Sequence, residues 1–398
     1  MTQTERLAKN PRLLFWGRAL FDVKMLTAVV VLFYLHRGVT IDEVFYLSIV
    51  WSIASLLTEV PSGWLSDTFG RKRTLLLGAG LMVACQVIYL FAHGPLMFIP
   101  IFVLMSAAFS CFSGTDEALL FESLKASGQE GEMTKFNGRL ASARTLFKIL
   151  TPLIGAWVAK DLLEWQFQIL IWVNIIAVSG SVLFLSRLHE PPQELSVSQM
   201  ELGTLRKGIA TIKSHPWLLH ASLNRTLLFI GVFITWRAYQ PLVVEQGVAV
   251  EWLGVFDFFV YLSLFVAKWH LDKIVAWMGM ARFMFVSAAT VVCALLVAIL
   301  SPAAWVQFLA LLAVISFGSA RWPAFAHAMN HRIESGARAT TLSVLNMIKG
   351  ILDIPILLLA GWLAGQSLVY SLWLALALAI ITILAFPMRQ RDLTVQTV

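Results

Sequence analysis

The residues able to do chemistry in this sequence are charges set inside apolar stretches. Arg18 and Asp22 stand four apart, as do Arg144 and Lys148, and Lys349 and Asp353. On a helix, that spacing puts both members on one face. Arg18 and Asp22 can neutralise each other, as can Lys349 and Asp353. Arg144 and Lys148 stack two cations without a local acid, so they either draw on Asp116 or Glu117 or hold an anionic group. Asp116 and Glu117 are adjacent, hence about 100° apart around a helix, and one partner is not expected to face both. Arg321-Trp322-Pro323 puts a cation and an indole beside a helix-kinking proline, a setting for cation–π or anion contacts. A structural pair with Asp257 is the other reading of Arg321. Trp236-Arg237 repeats the ring and cation. Candidate contacts to a small molecule are therefore Arg18, Arg144, Lys148, Trp236, Arg237 and Arg321, and candidate proton-binding carboxylates are Asp22, Glu59 and Asp116.

The elements that must position these groups follow from composition. Of 398 residues, 59% are hydrophobic and 13% charged, with a mean hydropathy of +0.78. A soluble chain of this length carries about a quarter charged residues. The apolar residues come in long blocks, such as 25–35, 75–91, 96–112 and 287–300. A bilayer crossing takes about 20 helical residues, and only helices or closed barrels satisfy their backbone there. The blocks lack strand-like alternation, so the expected fold is an all-α polytopic membrane protein of about twelve transmembrane helices. Residues 1–186 form the first group of spans, 187–216 a polar linker containing Pro191-Pro192, and 217–398 the second group with a short tail. A cleaved leader is not expected, because Glu5, Arg6, Lys9 and Arg12 run directly into a full-length span.

The net charge of +7 does not point to nucleic acid, because Lys and Arg gather in alternate loops. With the N-terminus cytoplasmic, that side holds the Arg71-Lys72-Arg73 cluster, Lys125, Lys135, Arg139, Arg187, Arg206, Lys207 and others. The opposite side holds Arg37 and Lys160. This asymmetry predicts an inner-membrane protein with both termini cytoplasmic. Cys85, Cys111 and Cys293 lie in apolar blocks without metal spacing. With no nucleophile set, metal cluster or phosphate-binding loop, neither an enzyme nor a cofactor is expected. A weak repeat relates the two halves. Arg18 precedes Gly38 and the acids Asp42-Glu43, and Arg225 precedes Gly247 and Glu251.

The loop after the second span reads Gly63-Trp64-Leu65-Ser66-Asp67-Thr68-Phe69-Gly70-Arg71-Lys72-Arg73. It resembles the cytoplasmic signature of the major facilitator superfamily and stands in the loop where that family carries it. Thr68 replaces the usual basic residue. The resemblance implies two pseudo-symmetric six-helix bundles, a monomer in lipid, and alternating-access transport of a small molecule driven by a proton gradient. It also implies that Gly63, Asp67, Gly70, Arg71 and Lys72 form a cytoplasmic gate near the start of the eleventh helix, where Arg338 lies. Gly138, Pro152 and Gly155 partly match a helix-five pattern of proton antiporters in that family, although Phe147 and Thr151 stand where glycine is usual. Export of a drug, toxic metabolite or siderophore is thus expected over proton-coupled import of a nutrient.

Overall fold

The computed structural model describes residues 3–192, 214, 216–332 and 335–388, with side chains at all of these except 216, 326–332, 335–340, 342 and 343. Most of the expected linker, 193–213, lies outside the described residues. All regular elements among the described residues are helical. The first group comprises α1 (Gln3–Leu7), α2 (Asn10–Phe21), α3 (Val30–His36), α4 (Ile41–Phe69), α5 (Arg71–Phe91), α6 (Gly94–Phe112), α7 (Thr115–Ala126), α8 (Met133–Val158) and α9 (Glu164–Ser186). After the linker come α10 (Pro216–Glu245), α11 (Glu251–Trp269), α12 (Leu271–Met278), α13 (Met280–Leu300), α14 (Ala304–Arg332), α15 (Ser335–Gln366) and α16 (Leu368–Ala385).

With α6 and α7 taken together, ten helices among the described residues are long and apolar enough to cross a membrane. Two further expected spans fall short for visible reasons. The first is cut at residues 22–26, between α2 and the single 3-10 turn Thr27–Val29 that leads into α3. The fifth, α8, carries Lys135, Arg139, Arg144 and Lys148. Leu57, Leu96, Trp269, Trp277 and Leu384 are each more than two-thirds exposed. Lipid is the solvent that accepts such an outer face.

The chain divides into two compact units. One gathers the described residues of Met1–Val39, Val50–Gln199 and Val250–Phe258, and the other those of Thr40–Ile49, Met200–Ala249 and Phe259–Val398. Inside the first, a ring cluster of Phe33, Tyr34, Tyr89 and Phe98 packs at centroid distances of 5.1–6.4 Å, and the two tyrosine hydroxyls bond at 2.9 Å. Inside the second, Leu218, Ala221, Met284, Phe325 and Leu345 share one buried core. The repeat anticipated between the halves extends to the backbone. The chain turns at Gly38 with φ +81° and at Gly247 with φ +88°. Val39 N–H then bonds Tyr34 C=O at 3.0 Å, and Val248 N–H bonds Val243 C=O at 3.0 Å. Glycine is needed at both places because other residues resist the left-handed region.

The cut in the first span frees backbone groups that must find partners. Lys24 N–H donates to Thr151 Oγ1 at 3.4 Å, and Met25 N–H donates to Asn174 Oδ1 at 3.0 Å. The Met25 carbonyl occupies the place a Cβ on Gly155 would take. Glycine at 155 is therefore what lets α8 approach the cut. Gly155→Ala is expected to destabilise the protein by about 1–3 kcal/mol, as overpacking does. A thermal unfolding scan in detergent should show a midpoint several degrees lower, and an unchanged midpoint would refute the close contact.

Candidate functional site

The charges around the cut form one network in the first unit. Arg18 Nε donates to Asp22 Oδ2 at 2.8 Å, which is the expected four-residue pair. Lys148 Nζ lies 3.0 Å from the other oxygen of Asp22. Arg144 Nη2 donates to both Asp116 oxygens at 2.7 Å, and Arg18 Nη1 lies 3.4 Å from Asp116 Oδ2. Both aspartates are completely buried. Lys24 makes no ion pair among the described residues, and its Nζ stands 4.4 Å from the Phe109 ring centroid.

One expectation is corrected here. Arg144 faces both Asp116 and Glu117, because its second nitrogen, Nη1, donates to Glu117 Oε1 at 3.0 Å. The argument from helix angle ignored side-chain reach. Gly114 starts α7 in the left-handed conformation, and Asp116 and Glu117 occupy its first turn. The longer glutamate, 57% exposed at its side chain, bends round to the other prong of the guanidinium. Arg18, Arg144 and Lys148 are thus all committed to carboxylates.

A second network surrounds the turn between α4 and α5. Arg71 Nη1 donates to Asp67 Oδ1 at 2.5 Å and to Ser66 Oγ at 2.8 Å, and Nη2 lies 3.2 Å from Glu122 Oε1. The N-terminus of α5 is capped from a distant part of the chain. Glu190 accepts the backbone N–H groups of Arg71 at 2.5 Å and Lys72 at 3.0 Å, where a helix start favours an anion. Asn10 fixes the segment bearing Glu190, donating to His189 C=O at 2.7 Å and accepting from His189 N–H at 3.0 Å. Burial pushes the Glu190 carboxyl up in pKa, while the two N–H bonds act against it. Burial pushes His189 down, helped by Arg6, Lys72 and Lys9. Sequence reasoning missed Glu190, whose only signal was an acid between the last span and Pro191. The side chain of Arg338 lies outside the described residues. Gly63 and Gly138 have open space where a Cβ would stand.

The second unit holds a cavity of about 520 Å³ whose lining includes Arg225, Phe229, Trp236, Lys268, Arg321 and Trp322. The structure thus brings Trp236 and Arg321 together and adds Arg225, which the sequence had marked only through its repeat. Arg237 is not part of the lining; its guanidinium stands 4.9 Å from the Phe233 centroid. Arg321 Nη2 donates to Asn224 Oδ1 at 2.5 Å, so its partner is an amide rather than an acid. Arg225 lies 4.4 Å over Trp322 and donates to Asn346 Oδ1 at 3.0 Å. Lys349 and Asp353 form the expected pair at 2.6 Å.

Helices of membrane-crossing length with charge buried among them, and a cavity of small-molecule size within the second unit, fit a polytopic membrane transporter. The chain belongs to the major facilitator superfamily, whose family model matches residues 19–354. No curated protein matches it at the sequence level. Among solved structures it is similar to a mutant of the nucleoside transporter NupG, with TM-score 0.77 and 12% identity over 96% of this chain and 98% of that one. It is also similar to a bacterial homologue of the human lysosomal transporter Spinster in an inward-facing, unoccupied conformation, with TM-score 0.75 and 12% identity over the full length of both. NupG itself gives TM-score 0.70 and 14% identity over 98% of this chain and all of the other. These likenesses carry the fold.

Replacing Glu190 by Ala leaves the Arg71 and Lys72 amides without their acceptor, at about 1 kcal/mol per lost bond. Hydrogen exchange at residues 70–73 should then quicken about fivefold or more, with exchange in α13 unchanged. Equal rates in the variant and the parent would remove the cap from the account.

Proposed function

We propose that this chain is a proton-driven antiporter of the inner membrane, exporting a small amphipathic or anionic molecule by alternating access, with both termini cytoplasmic. The observation that carries the coupling is the contrast among three carboxylates. Asp22 and Asp116 each sit between two cations. Glu59, half-buried in α4 just before Pro61, has no ion pair or side-chain hydrogen bond among the described residues. A carboxylate without a counter-charge can take up and release a proton with no salt bridge to break first. Glu59 is accordingly the proton carrier in this reading, and the Asp22–Asp116 network is a fixed clasp. The Asp67–Arg71–Glu122 set, with Gly70 and Lys72 at the helix start, acts as the gate. Gly155 of α8, seated against the cut with Pro152 three residues before it, supports the exporter assignment.

The test is transport with and without a gradient. Cells producing the protein should accumulate less of an exported compound than cells lacking it, and an uncoupler should erase the difference. Higher accumulation in producing cells would make the protein an importer. In proteoliposomes, Glu59→Gln should abolish gradient-driven movement while exchange at equilibrium persists. Full gradient-driven transport by that variant would sink the assignment of Glu59.

A further inference from the structure

We propose that the cavity of the second unit binds the oxyanion group of a flat amphipathic anion between Arg225 and Arg321. This names a substrate class for the transport reading above and rests on it. Arg18 and Arg225 occupy matching places, early in the first helix of each half and ahead of the same glycine turn. Arg18 is held by Asp22 and Asp116. Arg225 has no carboxylate partner among the described residues; it has an amide and two rings, Trp322 at 4.4 Å and Phe325 at 5.1 Å. Its Nε is buried without an acceptor among the described residues.

Arg321 strengthens the case. It is 5% exposed, lines the same cavity, and among the described residues its hydrogen bond goes to Asn224. Its Nη1 is buried with no acceptor among the described residues. Lys268 adds a third cation to the lining, and no acid belongs to it among the described residues. Asp353, outside the lining, is engaged by Lys349 at 2.6 Å. A guanidinium at membrane depth is costly without a counter-charge. Two of them with open N–H groups, in a cavity whose described lining holds no acid, are a site prepared for an anion from outside the chain.

The shape of the anion follows from the rest of the lining. A guanidinium fork matches carboxylate, phosphate or sulfonate oxygens. Arg225 stands 4.4 Å over Trp322, and its Nε, unbonded among the described residues, is open to such oxygens. Phe229 and Trp322, with centroids 5.7 Å apart, together with Trp236, offer surface for a ring or another apolar body. A volume of about 520 Å³ suits a drug-sized molecule. Trp322 is 47% exposed, so an anionic lipid headgroup is a second source of the same chemistry.

The test is calorimetric titration of the full-length protein in phosphatidylcholine nanodiscs, with no gradient present. The probes are naphthoate, neutral naphthamide and cationic naphthylmethylamine. Naphthoate should bind about tenfold or more tighter than naphthamide, since a charged hydrogen bond is worth that much. Arg225→Gln and Arg321→Gln should each erase this preference, while Arg225→Lys keeps part of it. Should Arg321→Gln fail to give monodisperse protein, the two Arg225 variants carry the test alone. Adding phosphatidylglycerol separates the sources. Displacement of naphthoate in the parent makes the occupant a lipid headgroup, and retained binding makes it a free anion; both support the oxyanion site. Equal binding of naphthamide and naphthoate, or an unchanged preference in Arg225→Gln, overturns it. Because no gradient is used, loss of this binding with gradient-driven transport intact would refute the anion site alone. Retained binding in a Glu59→Gln protein that transports without its gradient dependence would leave the site standing.

Discussion

A charge buried at bilayer depth must find an opposite charge, a ring, an amide or a guest, and much of this structure can be read as answers to that demand. The first unit answers with acids. Asp22 and Asp116 have no exposure, and together they engage Arg18, Arg144 and Lys148 within 3.4 Å. The network also explains two irregular spans. Arg144 and Lys148 help make α8 too polar to pass for an ordinary crossing, yet they are the residues that hold the two aspartates. The first span breaks just where Asp22 meets Lys148, and Thr151, Asn174 and Gly155 receive the exposed backbone.

The second unit uses the same repeat differently. Its first helix, α10, runs unbroken for 30 residues, and Arg225 has amide and aromatic neighbours where Arg18 has carboxylates. Duplicated halves with matching turns can therefore divide labour through a few side chains. Where the acids are present, the unit is knitted together. Where they are missing, positive charge remains available beside a cavity.

Much of this was legible in the residues alone. The Arg18–Asp22 and Lys349–Asp353 pairs followed from helical spacing, the matching glycine turns from the repeat, and the helical membrane architecture from composition. What spacing could not supply was the rotation of one helix against another. That rotation decided whether Arg144 and Lys148 met acids or open space, and it placed Lys148 on Asp22 rather than on its nearer sequence candidates. The cut in the first span was hidden because residues 25–35 read as a continuous apolar block, while the groups that stabilise the cut lie on α8 and α9. Glu190 was hidden for a similar reason, since its partners are backbone amides more than a hundred residues away.

The neutral company of Arg225 and Arg321 also suits a site that must let go. A carboxylate partner would have to be displaced before any anion could bind, and an exposed guanidinium would be satisfied by water. Asn224, Asn346 and the Trp322 ring lie between these limits. Each offsets part of the cost of burying the cation, through one hydrogen bond or a cation–π contact worth about 1–2 kcal/mol, and none cancels its charge. What remains uncompensated is the binding energy available to a guest. Conduction through any membrane site requires entry to be favourable and departure to remain possible. Partial compensation by amides and rings meets both conditions, which a fully paired network such as that around Asp22 cannot do without breaking itself.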